Sequence, residues 1–180
     1  MDTYLLVKFG HLVAVAAAFA ASGVLHNSLS RVTKAERIPQ ALDALGTVRA
    51  LAPRMPAIML VLFVTGGYLT QTRWTWSQPW IQVGAAGLLS MLLVSLVILK
   101  PRFAVIGMRI GQAGDGPVSE EMRALVRDPL IRIASHYQFI MATSIMFLMV
   151  TKVGMMGSLI VMGVAVVLAC GSAMPMMKKS

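Results

Sequence analysis

Acidic residues and cysteine are both scarce in this sequence. Only seven Asp and Glu stand among 180 residues, and none falls inside a long apolar stretch. That argues against carboxylate proton relays and carboxylate-bridged metal centres within a membrane, and it weakens a cation-transporter reading. The single Cys170 excludes an intrachain disulfide and CxxC redox chemistry, and its apolar surroundings predict a buried thiol. Charge of either sign is low, at 13%, where a soluble domain carries about 25%. A basic segment ahead of the first apolar run is missing too. Only Asp2 and Lys8 precede it, so the run over 12–21 reads as a retained span rather than a cleaved signal peptide.

What is present is apolar: 57% of the residues are hydrophobic. A hydrocarbon core about 30 Å thick takes roughly 20 helical residues to cross. Five stretches serve, at about 4–26, 53–71, 80–100, 132–151 and 155–173. The expected fold is an all-α, polytopic membrane helix bundle forming a single integral membrane domain, with loops at 27–52 and 101–131.

The net charge of +9 is unevenly placed. Arg31, Lys34, Arg37, Arg49 and Arg54 fall in or beside the first of these loops. Lys100, Arg102, Arg109, Arg123, Arg127 and Arg132 fall in or beside the second, and Lys178 and Lys179 lie in the tail. Only Lys8, Arg73 and Lys152 fall on the other side. Basic loops stay in the cytoplasm, so the N-terminus is expected outside and the C-terminus inside. The charge then faces anionic headgroups rather than nucleic acid.

Trp74, Trp76 and Trp80 crowd the short second loop near Tyr68, as in an outer aromatic belt. In the first loop, Thr33 and Glu36 have capping-box spacing. After Pro39, residues Leu42, Leu45 and Val48 predict a short helix lying on the membrane surface. Gly114–Pro117 reads as a turn, followed by a short helix opened by Ser119, Glu120 and Glu121. Small residues at 14–23 and 84–87 mark close helix approach. Gly66-Gly67 is the one hint of a broken helix.

Inside or near the spans lie Lys8, His11, His26 and His136. His26 is five residues before Arg31, about 7.5 Å along a helix, and His136 is four after Arg132, about 6 Å. The first span runs inward and the fourth outward, so both imidazoles fall at one depth near the cytoplasmic face. If those spans touch, the pair suits the two axial positions of a b-type haem; zinc would more often need further ligands. His11 lies fifteen residues before His26, about 22 Å outward. Met146 or Met149 could pair with it at a second site, since His/Met ligation exists for haem iron. The plain alternative is that each histidine hydrogen-bonds a neighbouring helix or headgroup.

The opening Lys8-Phe9-Gly10-His11-Leu12, followed by small residues, resembles the Lys-x-x-His opening of a superfamily of small bacterial membrane proteins. That superfamily includes copper-resistance protein D and HemJ-type protoporphyrinogen oxidases. The resemblance implies a four- or five-helix bundle in the bacterial cytoplasmic membrane. It makes His11 a porphyrin or metal ligand, and Lys8 a partner for an anionic group such as a propionate.

Three functions follow as expectations. The first is a haem b protein passing electrons between the quinone pool and a periplasmic redox partner, alone, as a homo-oligomer or with other membrane subunits. The second is a cofactor-free anchoring or assembly subunit. The third is a HemJ-like porphyrin-pathway oxidase.

Overall fold

The computed structural model describes residues 2–172, and among these every regular element is helical. Helix α1 spans Thr3–Lys34 and α2 spans Ile38–Leu51, joined by a short 3-10 turn at Ala52–Arg54 to α3, Met55–Arg73. After a turn at 74–78, α4 (Pro79–Val94) passes through a wide π turn at Ser95–Leu99 into α5, Lys100–Gln112. Then come α6 (Glu120–Val126), α7 (Pro129–Thr151) and α8 (Met155–Gly171). Among the described residues, four continuous helical stretches are long and apolar enough to cross a membrane: Thr3–Lys34, Ile38–Arg73, Pro79–Gln112 and Glu120–Thr151. Met155–Gly171 is a shorter apolar helix. Lys178 and Lys179, on which the expected cytoplasmic tail rested, lie outside the described residues.

Phe9, Val64, Val97, Val150, Met156 and Val167 are each 62–76% exposed. Such large bare side chains along the apolar helices identify a surface solvated by lipid rather than water.

The 27–52 and 101–131 segments are mostly helical, and the short helix expected in each is present. α1 runs eight residues past His26, α2 fills most of the first loop, and α5 extends the third span without a break. The apolar face of α2 is covered by protein rather than left free for headgroups. Ile38, Ala41, Ala44 and Leu45 are almost fully buried against Val32 of α1, Ile106 and Ile110 of α5, Val126 of α6 and Ile131 of α7. Complete burial of a large aliphatic side chain stabilises by about 1.5–3 kcal/mol. A cluster of that size outweighs laying one apolar stripe on headgroups, so α2, α5 and α6 make a packed plate. Backbone bonds stitch its edges: Ile38 donates to Gly116 and Val118 donates to Glu36, each at 2.9 Å. Arg49 pins α2 to α5 by donating to the Gly107 carbonyl at 2.6 Å.

Cap chemistry differs in one place. Thr33 bonds back to Ser30 at the end of α1, so it caps nothing. Gln40 starts α2 instead, accepting from the Glu36 and Arg37 backbone N–H groups at 3.2 and 3.4 Å. Ser119 caps α6 as expected, accepting from Met122 N–H. α7 begins with Asp128 accepting from Leu130 N–H at 2.8 Å, followed by Pro129, whose missing donor costs nothing there.

Within the apolar zone α4, α7 and α8 pack tightly where small residues allow it. A Cβ on Gly87 would stand 2.9 Å from Met162 Cε and 3.2 Å from Ile145 Cδ1. The end opposite the plate is closed by aromatics. Trp74 and Trp80 meet edge to face at 5.4 Å, and the Lys152 ammonium sits 4.4 Å over Trp74. Trp80 is buried with Ile81 and Leu148, so it is core rather than belt. Cys170 is exposed on α8, not buried, because the helix turns that face away from α4 and α7. α3 passes through Gly66-Gly67 without a break.

Candidate functional site

α1 and α3 pack as one pair, and α4 with α7 and α8 as another. Between the pairs lies a cavity of about 1000 Å³ whose walls are mostly apolar. Lys8, His11 and His26 all line it from α1. A second cavity of about 420 Å³ opens at the plate end between α1, α6 and α7. His26 and His136 both line that one, with Lys34, Arg127, Arg132 and Asp128.

The structure brings His26 and His136 together. Their rings meet edge to face, with centroids 5.2 Å apart and planes at 81°. His26 is exposed within the protein and His136 half-buried. The Nδ1 of His136 lies 2.8 Å from the Arg132 carbonyl. A carbonyl only accepts, so this nitrogen carries the proton and Nε2 keeps its lone pair. His136 thus has a property common in metal ligands, a ring held in one tautomer by its second nitrogen.

Metal–nitrogen bonds of about 2 Å would put two axial nitrogens about 4 Å apart and the ring centroids roughly 6 Å apart. At 5.2 Å and edge to face the rings do not present two nitrogens to one point, so a shared iron would require a ring to turn as well as α1 and α7 to part. The surroundings fit a haem otherwise. His26 borders an apolar cavity on one side and a basic one on the other. A macrocycle is apolar across its face and anionic at its propionates. Asp128 does not oppose that charge, since Arg102 pairs with it at 2.9 Å. Among the described residues no three His, Cys, Asp or Glu side chains converge, which does not match the usual donor set of tetrahedral zinc.

His11 is separate. It is buried to 8% exposure, and its Nδ1 lies 2.7 Å from the Thr65 hydroxyl. Thr65 gives its own proton to the Val61 carbonyl at 2.6 Å, so its oxygen accepts from His11. Gly66 makes room for the ring, since a Cβ there would lie 3.4 Å from His11 Cε1. Met146 and Met149 line the same large cavity from α7, while Thr65 is the hydrogen-bond partner of His11. Lys8 is exposed at the cavity's edge.

Reasoning from ionisable groups alone passed over Gln138 on α7. Its amide donates to the Met91 carbonyl and to Ser95, each at 2.8 Å, where α4 gives way to the π turn. Such turns recur at functional sites. A search of the spans for neutral amides would have found it.

Comparison of the chain with family models, curated proteins and solved structures finds no match.

Proposed function

We propose that this chain is a bacterial cytoplasmic-membrane protein that crosses the bilayer five times, with its N-terminus outside and its C-terminus in the cytoplasm. It holds a b-type haem between His26 and His136 and passes electrons between the quinone pool and a redox partner. The observation that carries this reading is the ring contact between His26 and His136 from two different helices, with His136 oriented by the Arg132 carbonyl.

Bound haem supplies a one-electron centre in an apolar setting. The chain's own residues do the rest. His26 and His136 would hold the iron, the Arg132 carbonyl keeps one ring in place, and Lys34, Arg127 and Arg132 would face the anionic groups. The orientation draws support from the plate end, where Arg31, Arg49, Arg102 and Arg123 all make their contacts. The fifth crossing draws support from α8, whose 17 residues reach about 25 Å, close to the core thickness.

The test is the absorption spectrum of the purified protein, oxidised and reduced. The expected result is a Soret band and a reduced α-band, both lost in His26→Ala and in His136→Ala. A folded, colourless wild-type preparation that takes up no added haem overturns the reading.

A further inference from the structure

Among the described residues, every side chain of fixed charge that lines the large cavity is a cation. Lys8 and Lys152 stand toward the Trp74 end, Arg49 and Lys100 toward the plate, and no Asp or Glu lines the wall. Between the two ends the wall is mostly apolar. Lys152 already rests on Trp74. The ion pairs of the described residues use Arg31, Arg102 and Arg123, so neither Arg49 nor Lys100 has a carboxylate partner there.

The plate end is a built site. Lys100 opens α5, and Ala104 and Gly107 follow one and two turns on along the same face. Arg49 reaches that face from α2. Its Nη2 donates to the Gly107 carbonyl at 2.6 Å, and a Cβ on Gly107 would stand 3.1 Å from Nη2 and 3.3 Å from Nε. The missing side chain therefore lets the guanidinium lie against the helix. One N–H is spent on the backbone, and a guanidinium has others to give. Lys100 and Gly107 are separated by about 10 Å along the axis. A lysine side chain and one phosphate group span that gap together, with the small Ala104 as its floor.

The charge selects among membrane components. A phosphodiester offers oxygen acceptors to both cations. The ammonium of an ethanolamine or choline head would meet Arg49 and Lys100 with no carboxylate to receive it, so a head without a cation fits better. Basic pockets between membrane helices near the headgroup zone take anionic lipid heads in this way. Beyond the cations, Leu88 and Leu96 of α4 and Met55, Met59 and Leu62 of α3 continue the wall. Lys100 to Leu88 is about 18 Å of helix, slightly more than half of a hydrocarbon core about 30 Å thick. That length suits one acyl chain of a single leaflet.

We propose that the plate end of this cavity holds an anionic diacyl phospholipid taken from the bilayer, its phosphodiester between Arg49 and Lys100 and an acyl chain along α3 and α4. Its binding depends on neither the His26–His136 contact nor haem.

The experiment uses the full, delipidated chain in detergent micelles carrying a known mole fraction of lipid, with bound lipid read by native mass spectrometry. The probe is dioleoylphosphatidylglycerol, compared with dioleoylphosphatidylethanolamine, dioleoylglycerol and inorganic phosphate. One phosphatidylglycerol per chain is expected to stay bound. Lys100→Gln should weaken it about fivefold, the usual weight of one basic residue at an anionic lipid surface. Arg109→Gln removes the same charge from α5 at a residue outside the cavity wall and should leave binding unchanged. Ala104→Trp keeps both cations, fills the floor between them and should expel the lipid. Equal retention of phosphatidylethanolamine or dioleoylglycerol overturns the proposal. So does a loss in Lys100→Gln no larger than in Arg109→Gln, or wild-type binding by Ala104→Trp. Displacement of the lipid by inorganic phosphate alone makes this a free-anion site and overturns it too. If Ala104→Trp does not fold, the comparison of Lys100→Gln with Arg109→Gln decides.

Discussion

Arg102 Nε stands 2.9 Å from Asp128 Oδ2, tying the first turn of α5 to the N-cap of α7. Asp128 has two tasks there, since its other oxygen accepts from Leu130 N–H. Asp128→Ala should cost about 1–2 kcal/mol, a lost cap of about 1 plus a half-exposed ion pair of about 0.2–1. Asp128→Asn keeps a capping oxygen and should cost less than about 1 kcal/mol. Thermal unfolding in detergent separates them, and equal losses would show that the cap contributes nothing.

Lys152 adopts a left-handed backbone, φ 52°, at the end of α7, while its ammonium covers Trp74. An L-residue in that conformation costs about 1–2 kcal/mol, and an exposed cation–π contact returns about 0.5–1. Lys152→Gly should therefore match or exceed wild-type stability. Lys152→Ala loses the contact, keeps the strain and should unfold earlier.

Gly87 has no room for a side chain between Met162 and Ile145, whereas a Cβ on Gly10 meets nothing within 4 Å. Gly87→Leu should cost about 1–3 kcal/mol by overpacking. Gly10→Leu should stay within about 0.5 kcal/mol. Similar melting of the two variants would refute close packing at α4.

Thr65 supplies the acceptor for buried His11. Thr65→Val leaves that N–H unpaired and should cost about 1 kcal/mol, the usual scale for polar contacts between membrane helices. Thr65→Ser keeps the oxygen and should behave like wild type in the same melt.

Orientation is checked by labelling whole cells. In a Cys170→Ser background, Ser77→Cys on the outer turn should react with a membrane-impermeant maleimide. Asp115→Cys, in the turn before α6, should react only after the membrane is opened. Reversed reactivity would turn the molecule over.

The apolar runs announced the long helices because about 20 apolar residues have few other fates. The meeting of His26 with His136 was legible as well, since depth follows from counting residues to interfacial arginines. The plate was not. Leu42, Leu45 and Val48 mark an amphipathic helix, but whether such a face meets lipid or protein depends on Ile106, Ile110 and Ile131, far along the chain. Trp80 and Cys170 were misplaced for the same reason: the side of a helix that faces a neighbour is decided by the neighbour. The partner of His11 was not legible either, because Thr65, across the helix interface, carries no charge to draw the eye.

The two helix pairs are joined at both faces of the molecule. On one side the plate stitches Ile38 to Gly116 and Val118 to Glu36; on the other, Trp74, Trp80 and Lys152 interlock. With both ends fastened, any guest of the cavity would enter between the helices from the side, out of the bilayer. Its occupancy then follows its mole fraction in the surrounding lipid rather than its concentration in water, so diluting a sample with buffer leaves the site filled while adding lipid empties it.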